Sequence, residues 1–248
     1  MTALRFVLFV LLPLSLVACP LVDDDGDDGR NDLDVISSDE RPSKRTEVIA
    51  VADPATDKML MFGGNEGAIV NQIPLATYLG ETWLFEVGVG WRAIAASEAP
   101  HARGRYGAVF DPNQGRALLF GGRWRPEGQS GDYTTFGDLW EFDFATETWT
   151  ELDDGSGDGP DARYYPQAAW SVEDNALYIM GGLTNEDPLI FERNLDLWRW
   201  TDGDGWEEVD TSGDAPSMRG FYGTTYDPIR DRMILFGGQP GDFQSLAF

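Results

Sequence analysis

The sequence predicts an all-β fold, a β-propeller of four-stranded blades, and three observations carry that expectation. An apolar run closing on Gly-Gly is written four times, as Met59–Gly64, Leu118–Gly122, Tyr178–Gly182 and Ile234–Gly238. The first glycine of each pair falls at 63, 121, 181 and 237, with steps of 58, 60 and 56, and a fixed period of this size marks a tandem repeat architecture. Within each period the apolar residues alternate, and turn signals recur at the spacing of short strands rather than helices.

Ahead of the repeats, residues 1–18 read as an export signal. Arg5 supplies a positive start, and Phe6 to Val17 form an apolar core too short to cross a bilayer as a helix. The run ends in Leu16-Val17-Ala18-Cys19, which resembles the bacterial lipobox. That resemblance implies cleavage between Ala18 and Cys19, lipidation of the Cys19 thiol, and a chain exported and anchored to the cell envelope. The small Ala18 fits a narrow peptidase pocket, and Cys19 is the only cysteine in the chain; the alternative is an ordinary signal peptide with a chance Cys, or a membrane anchor. More than one acyl chain is what stable anchoring requires. Pro20 follows in place of Asp, so the simplest inner-membrane retention signal is absent; the outer membrane is favoured and the inner one remains open.

Residues 19–41 form an acidic tether, with the run Asp23-Asp24-Asp25-Gly26-Asp27-Asp28-Gly29 near its start. An EF-hand register starting at Asp24 fails, because its third position is Gly26 and its twelfth is Val35. The run reads instead as a self-repelling, solvated spacer.

The blades occupy residues 42–248, with units starting near 42, 100, 160 and 216. Each opens on Pro-x-x-Arg: Pro42/Arg45, Pro100/Arg103, Pro160/Arg163 and Pro216/Arg219. A first strand of small and aromatic residues follows, such as Tyr106–Phe110. Asp53-Pro54, Asp111-Pro112 and Asp227-Pro228 then make turns, with Ser171-Val172 standing in for the third. The second strand is the apolar run into Gly-Gly, where the glycines are expected to supply a positive φ and room for a neighbouring ring. A third strand carries Trp83, Trp140 and Trp198, and a fourth opens on Trp91, Trp149 and Trp206. Both tryptophan rows are expected in the core between neighbouring blades, each ring burying roughly 150–250 Å².

The glycine doublet, the aromatic about 20 residues on and the second Trp about eight later resemble kelch repeats, over residues 42–248. Unit three departs from the pattern, with no Asp-Pro and with Pro166 where units two and four have Tyr106 and Tyr222. About three and a half blades are expected, against the six or seven usual in kelch relatives, so the resemblance implies a truncated sequence, closure by oligomerisation, or a small unusual ring. The kelch fold is shared by galactose oxidase and by a bacterial sialic acid mutarotase. The copper chemistry of the oxidase needs two His, two Tyr and a Cys–Tyr cross-link, whereas here Cys19 is committed to lipid and His101 is the single histidine.

Strand alternation puts the connection between strands two and three, and the link to the next blade, on one face. Those are the long segments: Asn65–Gly80, Arg123–Gly137 and Leu183–Asn194, with links Ser97–Pro100, Asp153–Pro160 and Thr211–Pro216. Long loops in a compact domain are where binding concentrates. Arg45, Arg103, Arg163 and Arg219 begin the inner strands on that face. They either ring the channel mouth, where Arg103, Arg163 and Arg219 would hold a carboxylate or an acidic sugar, or bond carbonyls of the preceding blade or an Asp from a link. Trp124, with Arg125 and Tyr133, either packs on a sugar ring or packs within its own loop.

The formal charge of −25, from 18 Lys and Arg against 43 Asp and Glu, argues against nucleic acid as a partner. One His and one Cys leave little for a metal site or a disulfide, and no catalytic residue, metal or cofactor is predicted. The expected function is a surface-tethered scaffold that binds protein or glycan through the long-loop face. The alternative is a carbohydrate-active enzyme of the same fold, mutarotase-like or an oxidase whose ligands lie in a missing C-terminal part.

Overall fold

The computed structural model describes residues 40–67, 69–70, 73–74, 77–126, 133–184, 193–214 and 219–240. The leader, Ala18, Cys19 and the tether up to residue 39 lie outside the described residues. Three four-stranded antiparallel sheets and one two-stranded sheet follow each other in chain order. The first blade contains β1 (Ala50–Asp53), β2 (Lys58–Phe62), β5 (Thr82–Glu86) and β6 (Gly90–Ile94). Its loop between the second and third strands holds a small hairpin, β3 (Ile69–Val70) with β4 (Ile73–Pro74). The second blade contains β7 (Gly107–Asp111), β8 (Arg116–Trp124), β9 (Thr134–Asp143) and β10 (Thr148–Asp153). The third contains β11 (Gln167–Ser171), β12 (Ala176–Leu183), β13 (Arg193–Thr201) and β14 (Gly205–Glu208). β15 (Arg219–Asp227) pairs with β16 (Arg232–Pro240) to begin the fourth. The first strand of each blade lies beside the first strand of the next, so β1, β7, β11 and β15 form the inner wall.

The doublets occupy equivalent places, and their backbone explains the glycines. φ is +62° and +97° at Gly63 and Gly64, +68° and +104° at Gly121 and Gly122, +62° and +107° at Gly181 and Gly182, and +75° and +88° at Gly237 and Gly238. In the second and third blades the ladder slips at the doublet, between Phe120 and Gly122 and between Met180 and Gly182. This is a β-bulge that bends the strand. The room left by the missing Cβ receives backbone, not the ring expected from sequence. A Cβ on Gly63 would lie 2.5 Å from the Arg103 carbonyl oxygen, and one on Gly121 would lie 2.6 Å from that of Arg163. The second glycine then donates to the same carbonyl, Gly64 N to Arg103 O at 2.9 Å and Gly122 N to Arg163 O at 2.8 Å. The first two doublets are thus the seats into which the next blade's opening segment locks.

Of the fourth-strand tryptophans, Trp149 and Trp206 wedge between blades as the repeat implies, whereas Trp91 packs half-buried on Phe85 of its own sheet. Trp149 packs edge-on against Phe62 of the first blade at 5.2 Å, and its Nε1 donates to Thr82 Oγ1 at 2.9 Å. Trp206 meets Phe120 of the second blade at the same distance. Phe62 and Phe120 are each 1% exposed as a result. Tyr106 adds a polar stitch, its hydroxyl donating to Phe62 O at 2.6 Å, and Tyr222 reaches Met180 O at 3.2 Å. Pro166 has no hydroxyl to make that bond in the third blade. Its strand edge is nevertheless regular, with Gln167 facing Met180 as Gly107 faces Phe120. The turns behave alike despite the substitution: Asp53 Oδ1 accepts from Ala55 N, Asp111 Oδ1 from Asn113 N, and Ser171 Oγ from Asp174 N.

Candidate functional site

The Pro-x-x-Arg arginines are built into the blades. Arg103 donates through Nη1 to Gly121 O at 3.0 Å and grips Asp138 with both terminal nitrogens, at 2.5 and 2.7 Å. Arg163 repeats this with Gly181 O at 3.0 Å and Asp196 at 2.6 and 2.9 Å. Arg45 does so with Gly63 O and Glu81. The same acids take the first tryptophan row, Trp83 Nε1 on Glu81, Trp140 on Asp138 and Trp198 on Asp196. Arg103 is 1% exposed and Arg163 0%, so neither presents a guanidinium to a ligand at the mouth. This corrects the placement of Arg103 and Arg163 as ligand contacts. It also corrects the alternative, since the acceptors belong to the arginine's own blade and not to the preceding blade or a link. The partner acid stands two residues before each Trp, and that Asp/Glu-x-Trp spacing was the signal available in the sequence. Arg219 opens β15 with its Cα opposite that of Pro240, and its side chain lies outside the described residues.

The residues that do ring the mouth lie two positions further on. Glu47, Arg105 and Tyr165 occupy equivalent points ahead of β1, β7 and β11, with φ of +61°, +61° and +57°. Left-handed backbone at bulky residues costs on the order of 1–3 kcal/mol each and collects at functional sites. Here it is held by a chain of bonds across blades, Arg105 N to Glu47 O at 2.9 Å and Tyr165 N to Arg105 O at 2.6 Å. Arg105 Nη2 also donates to Glu47 Oε1 at 2.5 Å, and its guanidinium carbon lies 4.6 Å from the Tyr165 ring centre. The Arg105 Nε is buried and has no hydrogen-bond partner. Burial opposes the Arg105 charge, but the bond and charge of Glu47 outweigh it, so its pKa lies above the ordinary value. A cavity of about 320 Å³ opens beside this trio, lined also by Tyr106, Pro166 and Thr224.

A second cluster adjoins it. Arg123, near the end of β8, is 7% exposed. Its Nε donates to the Tyr78 hydroxyl at 3.1 Å, and its guanidinium lies 3.8 Å from the Tyr133 ring centre and 4.7 Å from that of Tyr164. Tyr78 in turn donates to Glu47 Oε2 at 3.2 Å, joining the clusters. Arg103, Arg116 and Arg163 are each matched by carboxylates, whereas the partners seen for Arg123 among the described residues are phenols. Such cation–π contacts stabilise by about 0.5–2 kcal/mol each and leave the positive charge in place. Burial pushes the Tyr78, Tyr164 and Tyr165 hydroxyls above the ordinary phenol range, so they serve as neutral donors and acceptors. Trp124 ends β8 instead of lying in a loop, half-buried, with its ring 4.7 Å from His101 on the preceding link. With Tyr78, Tyr133 and Ala102 it forms a small apolar cluster under the mouth. Among the described residues no group of three or more His, Cys, Asp or Glu is placed to hold a metal ion.

Comparison with known proteins gives the following. The KLHDC2/KLHL20/DRC7 Kelch-repeats domain matches residues 33–238. The flagellar outer-arm dynein alpha chain of Chlamydomonas reinhardtii is 31% identical over 156 residues, covering 59% of this chain and 3% of that protein. Tip elongation aberrant protein 1 of Schizosaccharomyces pombe is 32% identical over 116 residues, covering 47% of this chain and 10% of its own. The solved structure of YjhT superposes with a TM-score of 0.53 at 14% identity, over 75% of this chain and 55% of that one, which is a likeness of fold.

Proposed function

The chain belongs to the kelch-repeat family, and on that premise we propose that it is a binding scaffold, exported and held at the cell envelope by lipid on Cys19, that takes a protein or glycan ligand at the mouth of the inner wall. The observation that carries this reading is the strained trio Glu47, Arg105 and Tyr165 beside a cavity, in contact with the Arg123 cluster. In a chain of charge −25, two arginines beside one glutamate make a local basic spot. Arginine offers an acidic group on a sugar or peptide a bidentate partner, and Tyr165 offers a ring face.

Array binding of glycans and acidic peptides tests it. Arg105→Gln and Tyr165→Ala should each weaken the selected ligand at least tenfold while leaving the fold intact. Unchanged binding in both would sink the site. Membrane fractionation tests the address: the wild type should sediment with membranes and Cys19→Ser should be released. The second reading, a carbohydrate-active enzyme of the kelch fold, draws on Glu47 bordering the same cavity. Turnover of an acidic sugar that is lost in Glu47→Gln would favour it over the scaffold.

A further inference from the structure

Arg105 differs from the arginines built into the blades in how its nitrogens are used. Arg103 donates from Nε to His101 O, from Nη1 to Gly121 O and Asp138, and from Nη2 to Asp138. Arg116 places its three nitrogens on Asp111, Glu141 and Asp202. Arg105 donates from Nη2 to Glu47 Oε1 at 2.5 Å, while its Nε is buried and has no hydrogen-bond partner. Nε and Nη2 share one edge of the planar guanidinium, an edge that a carboxylate can take with two parallel bonds. Glu47 uses half of that edge, because its other oxygen, Oε2, accepts from the Tyr78 hydroxyl at 3.2 Å. A buried donor left unpaired is costly, so the Glu47–Arg105 contact is an incomplete version of the pair this edge can make.

A second place for Glu47 is already furnished. Tyr78 donates to Glu47 and accepts from Arg123 Nε at 3.1 Å. The partners seen for Arg123 among the described residues are phenols, so its positive charge stands behind Tyr78. When Arg105 turns to another anion, Glu47 keeps one hydrogen bond and a nearby opposite charge. The cavity beside the trio, about 320 Å³, lies at the low end of the range for small-molecule pockets. That size favours a sugar-sized group over a peptide segment.

We propose that Glu47 is a built-in stand-in for the ligand: a carboxylate carried on a sugar-sized group displaces Glu47 from Arg105, takes Nε and Nη2 together, and leaves Glu47 on Tyr78 with the charge of Arg123 behind it. This exchange rests on the mouth being the ligand site, as proposed above, and it adds the group recognised and the residue that sets selectivity. An incoming group must replace a planar carboxylate of single charge. A dianion brings a second negative charge beside the displaced Glu47, where like charges repel.

Calorimetric titration of the full chain with glucuronate, glucose and glucose 6-phosphate tests the exchange. The wild type should bind glucuronate, and should bind glucose and glucose 6-phosphate at least tenfold more weakly. Glu47→Gln removes the competing charge and should bind glucuronate about tenfold more tightly. Tyr78→Phe removes the hydroxyl that receives Glu47 and should bind glucuronate several-fold more weakly. A merely structural role for Glu47 would weaken binding in both variants, so the opposite signs are the readout. Loss of binding in Arg105→Gln, with Glu47→Gln no tighter than the wild type, would overturn the stand-in and leave the mouth as the ligand site. Glucuronate binding that is unchanged in Arg105→Gln would instead sink the site itself. Equally tight binding of glucose 6-phosphate, or no glucuronate binding by either the wild type or Glu47→Gln, would also overturn the proposal.

Discussion

Two rows of residues, two positions apart in the same opening segments, do opposite work. Arg103 and Arg163 turn inward, meet a carboxylate and a glycine carbonyl of their own blade, and are almost wholly out of water. Glu47, Arg105 and Tyr165 turn toward the axis, adopt left-handed backbone and border a cavity. The first row repeats one chemistry because every blade needs the same internal clamp. The second row carries an acid, a base and a phenol at one repeat position. Within a tandem array, a position where geometry is fixed and chemistry varies is free to meet a ligand.

The largest effect should come from breaking the inward row. Asp138→Ala leaves Arg103 buried without its carboxylate and Trp140 without its acceptor. Removing one partner of a buried pair costs about 3–5 kcal/mol, read as a lower urea midpoint with little change in slope. A fall below about 1 kcal/mol would mean that the clamp is weak.

Next, Gly121→Ala places a Cβ where the Arg163 carbonyl sits, 2.6 Å away, on backbone with φ of +68°. A loss of about 1–3 kcal/mol is expected from the strained conformation alone, and more if the carbonyl cannot yield. The same change at Gly115, where φ is +67° and an added Cβ meets nothing within 4 Å, should cost only the backbone term, and the difference between the two isolates the interlock.

Smaller again is Tyr106→Phe, which removes the hydroxyl bond to Phe62 O at 2.6 Å and should cost about 1 kcal/mol at neutral pH. Burial raises the Tyr106 pKa well above its ordinary value of 10.0. The folded pKa is thus higher than the unfolded one, so the contribution is complete below about pH 10 and is lost as the pH rises from there toward the folded pKa. Tyr106→Phe should accordingly be less sensitive to alkali than the wild type in urea titrations at rising pH.

The sequence carried the architecture because its strongest signals are local. A glycine doublet that needs positive φ and a Trp eight residues into the last hairpin are legible without coordinates, and Trp149 on Phe62 follows from the period. The arginine partners were legible only in part. Glu81, Asp138 and Asp196 recur two residues before each Trp, but only the folded blade brings them onto Arg45, Arg103 and Arg163. The Arg105–Glu47 contact spans 58 residues and two blades, and local spacing says nothing about it. Trp124 was read as loop because the doublet looked like a strand end. The bulge instead lets β8 continue past Gly121 to pair Trp124 with Thr134.

The contrast between the two rows is tested most directly by urea unfolding of Arg163→Ala and Arg105→Gln side by side. Arg163→Ala should lose about 3–5 kcal/mol, since it strips a buried carboxylate of its partner. Arg105→Gln should lose less, about 1–3 kcal/mol, because Glu47 keeps the Tyr78 hydroxyl as a partner when the guanidinium is removed. Equal losses, or a larger loss at Arg105, would contradict the assignment of one row to the fold and the other to the ligand.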